Sequence, residues 1–171
     1  MAGESAAVKL AMASLRYFLE KGSILPVPAD VAEELTGQAG VFVSLKKYGE
    51  LRGCIGTFEP TQRNIASEII QNAVSAGTRD PRFWPVELNE LENITISVDV
   101  LETPQPINNL NELDSQKYGV IVKRGRRSGL LLPMLEGVNT VAEQISIAKE
   151  KAGIGAGEEV ELYRFSVTRY T

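Results

Sequence analysis

The stretch LRGCIGTF (51–58) holds the chain's single cysteine, Cys54, between Gly53 and Gly56, with Arg52 two residues before it. On an extended strand side chains alternate, so Leu51, Gly53 and Ile55 are expected on one face and Arg52, Cys54 and Gly56 on the other. A guanidinium on the same face as a thiol favours the thiolate, the nucleophilic form. Glycines within a strand mark a bulge or the close approach of a ligand or another backbone. The same residues also have a plainer reading. Free cysteine is among the most buried residue types and packs as a small apolar group, and the glycines would then let a helix lie close to the sheet. The chain has no histidine, so the base serving a nucleophilic Cys54 would have to be Glu50, Glu59 or Asp80.

A second cluster is TRDPRFWP (78–85), which sets Arg79, Asp80 and Arg82 in a loop pinned by Pro81 and Pro85. Loops fixed by a scaffold are common functional positions. Two arginines suit bidentate capture of a carboxylate or phosphate, with Asp80 orienting one of them. The alternative is an internal ion pair that ties the loop to the domain, with Phe83 and Trp84 anchored in the core. Cys54 and Asp80 are thus the catalytic candidates, and Arg52, Gly53, Cys54, Gly56, Arg79 and Arg82 the candidate ligand-binding set. KRGRR (123–127) reads as a solvated hairpin tip that blunts a sheet edge. GIGAGEE (153–159) lacks the Lys and Ser/Thr of a phosphate loop and reads as a turn.

These residues must be positioned by a chain of 171 residues, long enough for one domain with a sizeable core. A formal net charge of -4 makes general nucleic-acid or membrane-surface binding a poor expectation. One cysteine and no histidine exclude an intrachain disulfide, a Ser-His-Asp or Cys-His arrangement and the usual imidazole metal sites. No metal set and no cofactor motif is expected. No apolar run approaches a membrane span of about 20 residues, and the N-terminal stretch is amphipathic rather than signal-like. The cytosol is the expected location.

The expected elements start with a helix over about 5–21, capped by Ser5, with Val8, Ala11, Leu15, Phe18 and Leu19 at helical spacing and Gly22 just past its end. GVFVSLKKYGELRGCIGTF reads as a hairpin turning at Tyr48-Gly49. A helix over about 61–76 follows, with Ile65, Ile69 and Ala73 on its buried stripe, then the proline-broken loop, then the strand NITISVDVL. A second hairpin (YGVIVKRGRRSGLLLPML), a helix with a Thr140–Glu143 capping box and a last strand EVELYRFSV follow. Hairpin, helix and strand therefore occur twice, over about 40–102 and about 118–168, which suggests a structural duplication. The class is α+β: an antiparallel or mixed sheet with helices on its faces.

LRGCIG, DPRFWPV (80–86), ITISVDVL (94–101), GLLLPML (129–135), KAGI (151–154) and LYRFSV (162–167) stand together in one order. In this the chain resembles the AMMECR family, named from a human chromosomal region linked to Alport syndrome with midface hypoplasia and elliptocytosis. The resemblance covers nearly the whole chain. Where the family carries Gln after LLLP this chain carries Met134, which puts a polar role for that position in doubt. The resemblance implies a cytosolic, single-domain α+β protein over residues 1–171. It also implies an association with a Memo-type dioxygenase-like domain and a radical-SAM enzyme, to which some members are fused or beside which they are encoded. It supplies no reaction and no catalytic residue set.

Two readings from different classes result. In the first, a pocket built from LRGCIG, the DPRF loop and Leu132-Pro133 binds an anionic small molecule, alone or as part of an enzyme. In the second, the same surface is a non-catalytic module for protein–protein interaction. A concave pocket with convergent polar groups favours the first, and an exposed apolar patch with a polar rim the second.

Overall fold

The computed structural model describes residues 3–171. It divides into two units, one formed by the chain up to Val100 together with Thr168–Thr171, the other by Leu101–Val167.

The first unit opens with α1 (Ala6–Lys21), whose ends are set by local chemistry. The Ser5 hydroxyl accepts from the Val8 N–H at 3.2 Å, and Gly22 turns left-handed at φ 74° with its N–H on the Phe18 carbonyl. A hairpin follows, β1 (Val41–Lys47) and β2 (Glu50–Thr57), turning through Tyr48 and Gly49 at positive φ. Then come α2 (Ile65–Thr78) and β3 (Ile94–Leu101). The helix starts later than the spacing of its apolar residues predicts. Residues 61 and 62 instead bend around the buried Glu68 carboxylate, which accepts from the Thr61 and Gln62 N–H groups at 2.6 and 3.0 Å, and Asn64 becomes the cap. The apolar stripes of α1 (Val8, Ala11, Leu15) and α2 (Ile65, Ile69, Ala73) share a core with Val41, Val43 and Leu45 of β1 and Ile96 and Val98 of β3.

The second unit holds β4 (Gln105–Pro106), a hairpin of β5 (Gly119–Arg124) and β6 (Arg127–Leu131), α3 (Val141–Ala152) and β7 (Glu161–Phe165). Thr140 caps α3 by accepting from the Glu143 N–H at 3.1 Å, and Gly153 ends it at φ 70°. Val120, Val122, Leu131, Ala148 and Ile154 form its core.

The expected last strand EVELYRFSV forms β7, and a further strand follows it. β7 ends at Phe165, and β8 (Val167–Tyr170) joins the first unit's sheet, whose order is β2-β1-β3-β8; the second sheet runs β4-β7-β5-β6. The architecture is α+β, with helices and two antiparallel-paired sheets. Among the described residues, no helix is long and apolar enough to cross a membrane.

Candidate functional site

β2 lies at one end of its sheet's order, with a single strand partner, so alternate N–H and C=O groups along it face away from the ladder. At Cys54 both are covered by the DPRF loop. The Cys54 N–H donates to Asp80 Oδ2 at 3.0 Å, and Arg82 Nη2 reaches the Cys54 carbonyl at 3.4 Å. Asp80 and Arg82 are themselves joined by a two-pronged pair, Nε to Oδ1 at 3.0 Å and Nη2 to Oδ2 at 2.8 Å. Asp80 is 5% exposed. The Arg82 guanidinium, with help from the Cys54 and Arg82 N–H groups, holds its carboxyl well below the usual carboxylate range against the opposing effect of burial. A carboxylate held that low is a poor general base at neutral pH. Asp80 is therefore placed to fix the loop to the strand.

The register of the hairpin explains where Arg52 goes. Lys46 pairs with Leu51 and Leu45 with Gly53, so Arg52 is the extra residue of a β-bulge. The alternation expected along LRGCIG holds for Gly53 with Ile55 on the core side and is interrupted at Arg52. Arg52 bonds Glu90 through Nε to Oε1 at 3.0 Å and Nη2 to Oε2 at 3.1 Å, and donates through Nη1 to the Trp84 carbonyl at 2.7 Å. Lys47 Nζ joins Glu90 at 3.0 Å, and the Glu87 N–H donates to its other oxygen at 2.8 Å. The Arg52 bond above all, then the Glu87 N–H and Lys47, brings the Glu90 pKa down to about 2 from an ordinary 4.5, against burial. Glu90 is the acidic partner of Arg52.

Cys54 is half-buried, with its sulfur 3.2 Å from the hydroxyl of Ser44, the residue paired with it across the hairpin. Two guanidiniums lie within its electrostatic reach. Arg82 is held above its ordinary pKa chiefly by Asp80 and in smaller part by Cys54. Arg169 on β8 is raised chiefly by the buried Asp99, which it grips at 2.7 and 3.0 Å, and again in smaller part by Cys54. The two glycines serve packing. A side chain at Gly53 would meet the Ala76 carbonyl of α2, and one at Gly56 the ring of Phe42. Arg79 ends α2 and is exposed, with no side-chain hydrogen bond to any described residue.

Cys54, Asp80 and Arg82 thus come together, while Arg52 grips the same loop further along and Arg79 stands apart. Trp84 is not a core anchor. It is 87% exposed, and Val86, 2% exposed with its N–H on the Gly77 carbonyl at 2.8 Å, seats the loop instead. Ser44, Glu90, Asp99 and Arg169 were not singled out by residue type or spacing, because each reaches the motif through strand pairing or a distant loop. At the other hairpin tip, Arg124 and Arg127 pair with Glu158 at 3.4 and 3.0 Å, and Lys123 and Arg126 are exposed.

These features define an α+β protein whose edge strand is clamped by an acidic–basic loop. Residues 8–170 match the AMMECR1 family, and the chain belongs to it. A protein of Thermotoga maritima is 50% identical over 99% of this chain and 99% of its own length. A Clostridium acetobutylicum protein is 54% identical over 95% of this chain, which spans only 35% of that relative. The crystal structure of an uncharacterized protein from Pyrococcus horikoshii is 32% identical and superposes with a TM-score of 0.86, covering 95% of this chain and 88% of that one.

Proposed function

We propose that this chain is a binding module whose DPRFWP loop, clamped to the edge of β2, presents Trp84 to a protein partner. The observation that carries the reading is the 87% exposure of Trp84 on a loop whose backbone is fixed by the Arg52 bond to its carbonyl. An ordered indole left in water forgoes the burial that aromatics ordinarily gain, and tryptophan is among the residues enriched at binding hot spots. Tyr48, Leu51 and Leu88 add exposed apolar surface on the hairpin tip and on the segment that carries Glu90, which Lys47 and Arg52 join. The Asp80–Arg82 and Arg52–Glu90 pairs supply the rigidity such a surface needs. The Clostridium acetobutylicum relative, in which the matching region is 35% of a longer chain, is in keeping with a modular role. By family resemblance the candidate partners are a Memo-type dioxygenase-like protein and a radical-SAM enzyme.

The experiment uses Trp84, the only tryptophan, as its own reporter. Titration with a Memo-type or radical-SAM partner protein is expected to shift its emission to the blue, and Trp84→Ala is expected to weaken the complex more than tenfold. Equal binding by Trp84→Ala overturns the reading.

A second reading is favoured by Arg82, whose side chain remains 56% exposed beside the half-buried thiol while Asp80 holds it in place. In it an anionic small molecule docks on Arg82 next to Cys54, and Arg82→Gln removes any thermal stabilisation by that anion. We also read the whole chain as one AMMECR-type domain built by duplication. Support comes from the matching strand orders β2-β1-β3 and β6-β5-β7, and from a glycine packed under a helix carbonyl in each unit, Gly53 under Ala76 and Gly129 under Ala148.

A further inference from the structure

We propose that Arg164 anchors a small-oxyanion site within the Leu101–Val167 unit, taking inorganic phosphate or the phosphate or carboxylate end of a small metabolite. The site is distinct from the Cys54–Arg82 cluster.

The argument starts from charge. Arg52, Arg82, Arg124, Arg127 and Arg169 each pair with a carboxylate. Arg164, on β7, is half-buried, and no carboxylate among the described residues lies within ion-pair distance of it. A partly desolvated cation is costly without compensation. What touches it is neutral: Nη1 donates to the Glu112 carbonyl at 2.8 Å, and the guanidinium stacks 4.4 Å from the centre of the Tyr118 ring, while the Glu112 carboxylate acts on it only from beyond ion-pair distance. Lys117 lies over the same ring at 5.2 Å and adds positive charge. The Nε and Nη2 donors of Arg164 have no hydrogen-bond partner among the described residues. An arginine held in place with a free two-donor edge matches an oxyanion's paired acceptors.

The cavity that Arg164 lines has the corresponding size and chemistry. It is a half-open hollow of about 120 Å³ with Thr103, Gln105, Tyr118 and Ser166 among its lining residues. That is room for several waters, which a phosphate or carboxylate group could displace. The walls are built before any ligand arrives. β4 pairs with β7 through Gln105 and Arg164, the Glu102 N–H bonds the Ser166 carbonyl at 2.9 Å, and Phe165 is buried at 1% exposure. Glu102, exposed on the lining, opposes an anion, as does the more distant Glu112 carboxylate. That opposition provides a test in the gain direction.

The test is thermal melting and calorimetry of the full chain with phosphate and with acetate, each against potassium chloride at equal ionic strength. A saturable rise in melting temperature with phosphate identifies a phosphate-type ligand, one with acetate a carboxylate-type ligand, and either supports the site. Arg164→Gln is expected to abolish the rise, while Arg126→Gln retains it. Glu102→Gln is expected to tighten binding about fivefold, the effect of one nearby charge at a protein surface. Absence of a saturable rise with both anions overturns the proposal, and so does an equal rise in Arg164→Gln. Should Arg164→Gln fail to fold, Glu102→Gln decides: affinity unchanged from wild type overturns the site.

Discussion

Arg52 and Glu90 meet through two parallel hydrogen bonds, 3.0 and 3.1 Å long, that join a β-bulge to the turn Leu88–Asn93. The bulge makes this possible by taking Arg52 out of the ladder's alternation and turning it toward the loop that follows α2.

The pair sets a pH dependence. The folded Glu90 carboxyl titrates near 2, below its ordinary 4.5, so its contribution to stability is complete above about 4.5 and is lost as pH falls toward 2. Glu90→Gln is expected to cost about 2 kcal/mol at neutral pH, the range for hydrogen bonds to charged groups, and to flatten the acid limb of the stability curve. Urea melts at pH 7, 4 and 2.5 measure this. An unchanged gap between the variant and wild type across the three would refute the assignment.

Asp80→Asn keeps an acceptor for the Cys54 N–H and loses the two-pronged grip on Arg82. The loop is expected to loosen, with about 1–3 kcal/mol lost as buried charge-assisted bonds are broken. Hydrogen exchange at the Cys54 amide is expected to speed up more than exchange at the core of α2. Uniform acceleration across the unit would instead indicate a general loss of stability.

Gly53 and Gly129 provide a matched pair. In each, an added Cβ meets a helix carbonyl, of Ala76 or of Ala148, which is backbone and cannot rotate aside. Gly53→Ala and Gly129→Ala are each expected to cost about 3 kcal/mol or to prevent folding, as overpacking of a close contact does. Equilibrium denaturation checks both. A loss at one position and none at the other counts against the duplicated packing.

The chain's local chemistry made some of this legible and its long-range pairings made the rest obscure. Ser5, Thr140, Gly22 and Gly153 announce helix ends because caps act over three or four residues. The start of α2 was hidden by Glu68, whose carboxylate bends the preceding segment from within the helix. A turn at Tyr48–Gly49 continued without interruption would set Ser44 against Gly53; the bulge at Arg52 sets it against Cys54 instead. The additional strand β8 after EVELYRFSV is set by its pairing with the distant β3, and no local pattern encodes that. In the candidate site, the convergence of Cys54, Asp80 and Arg82 lay in two quotable motifs. The capture of Arg52 by Glu90 did not, because 38 residues separate the partners.

Cys54 is the last test, because it separates a packed thiol from an accessible one. Its side chain is half-buried rather than enclosed, and its sulfur has the Ser44 hydroxyl at 3.2 Å. Cys54→Ser keeps a polar atom in reach of that hydroxyl, so the stability loss is expected to stay within about 1 kcal/mol, the scale of a single net hydrogen bond. Cys54→Ala removes the contact and the sulfur's packing together and is expected to cost more than the serine. A thiol reagent is expected to modify Cys54 in the folded protein, more slowly than in urea-unfolded chain but at a rate proportional to reagent concentration. A rate that levels off at the global unfolding rate as reagent rises would mean that the thiol is reached only through unfolding, and would remove Cys54 from the candidate site.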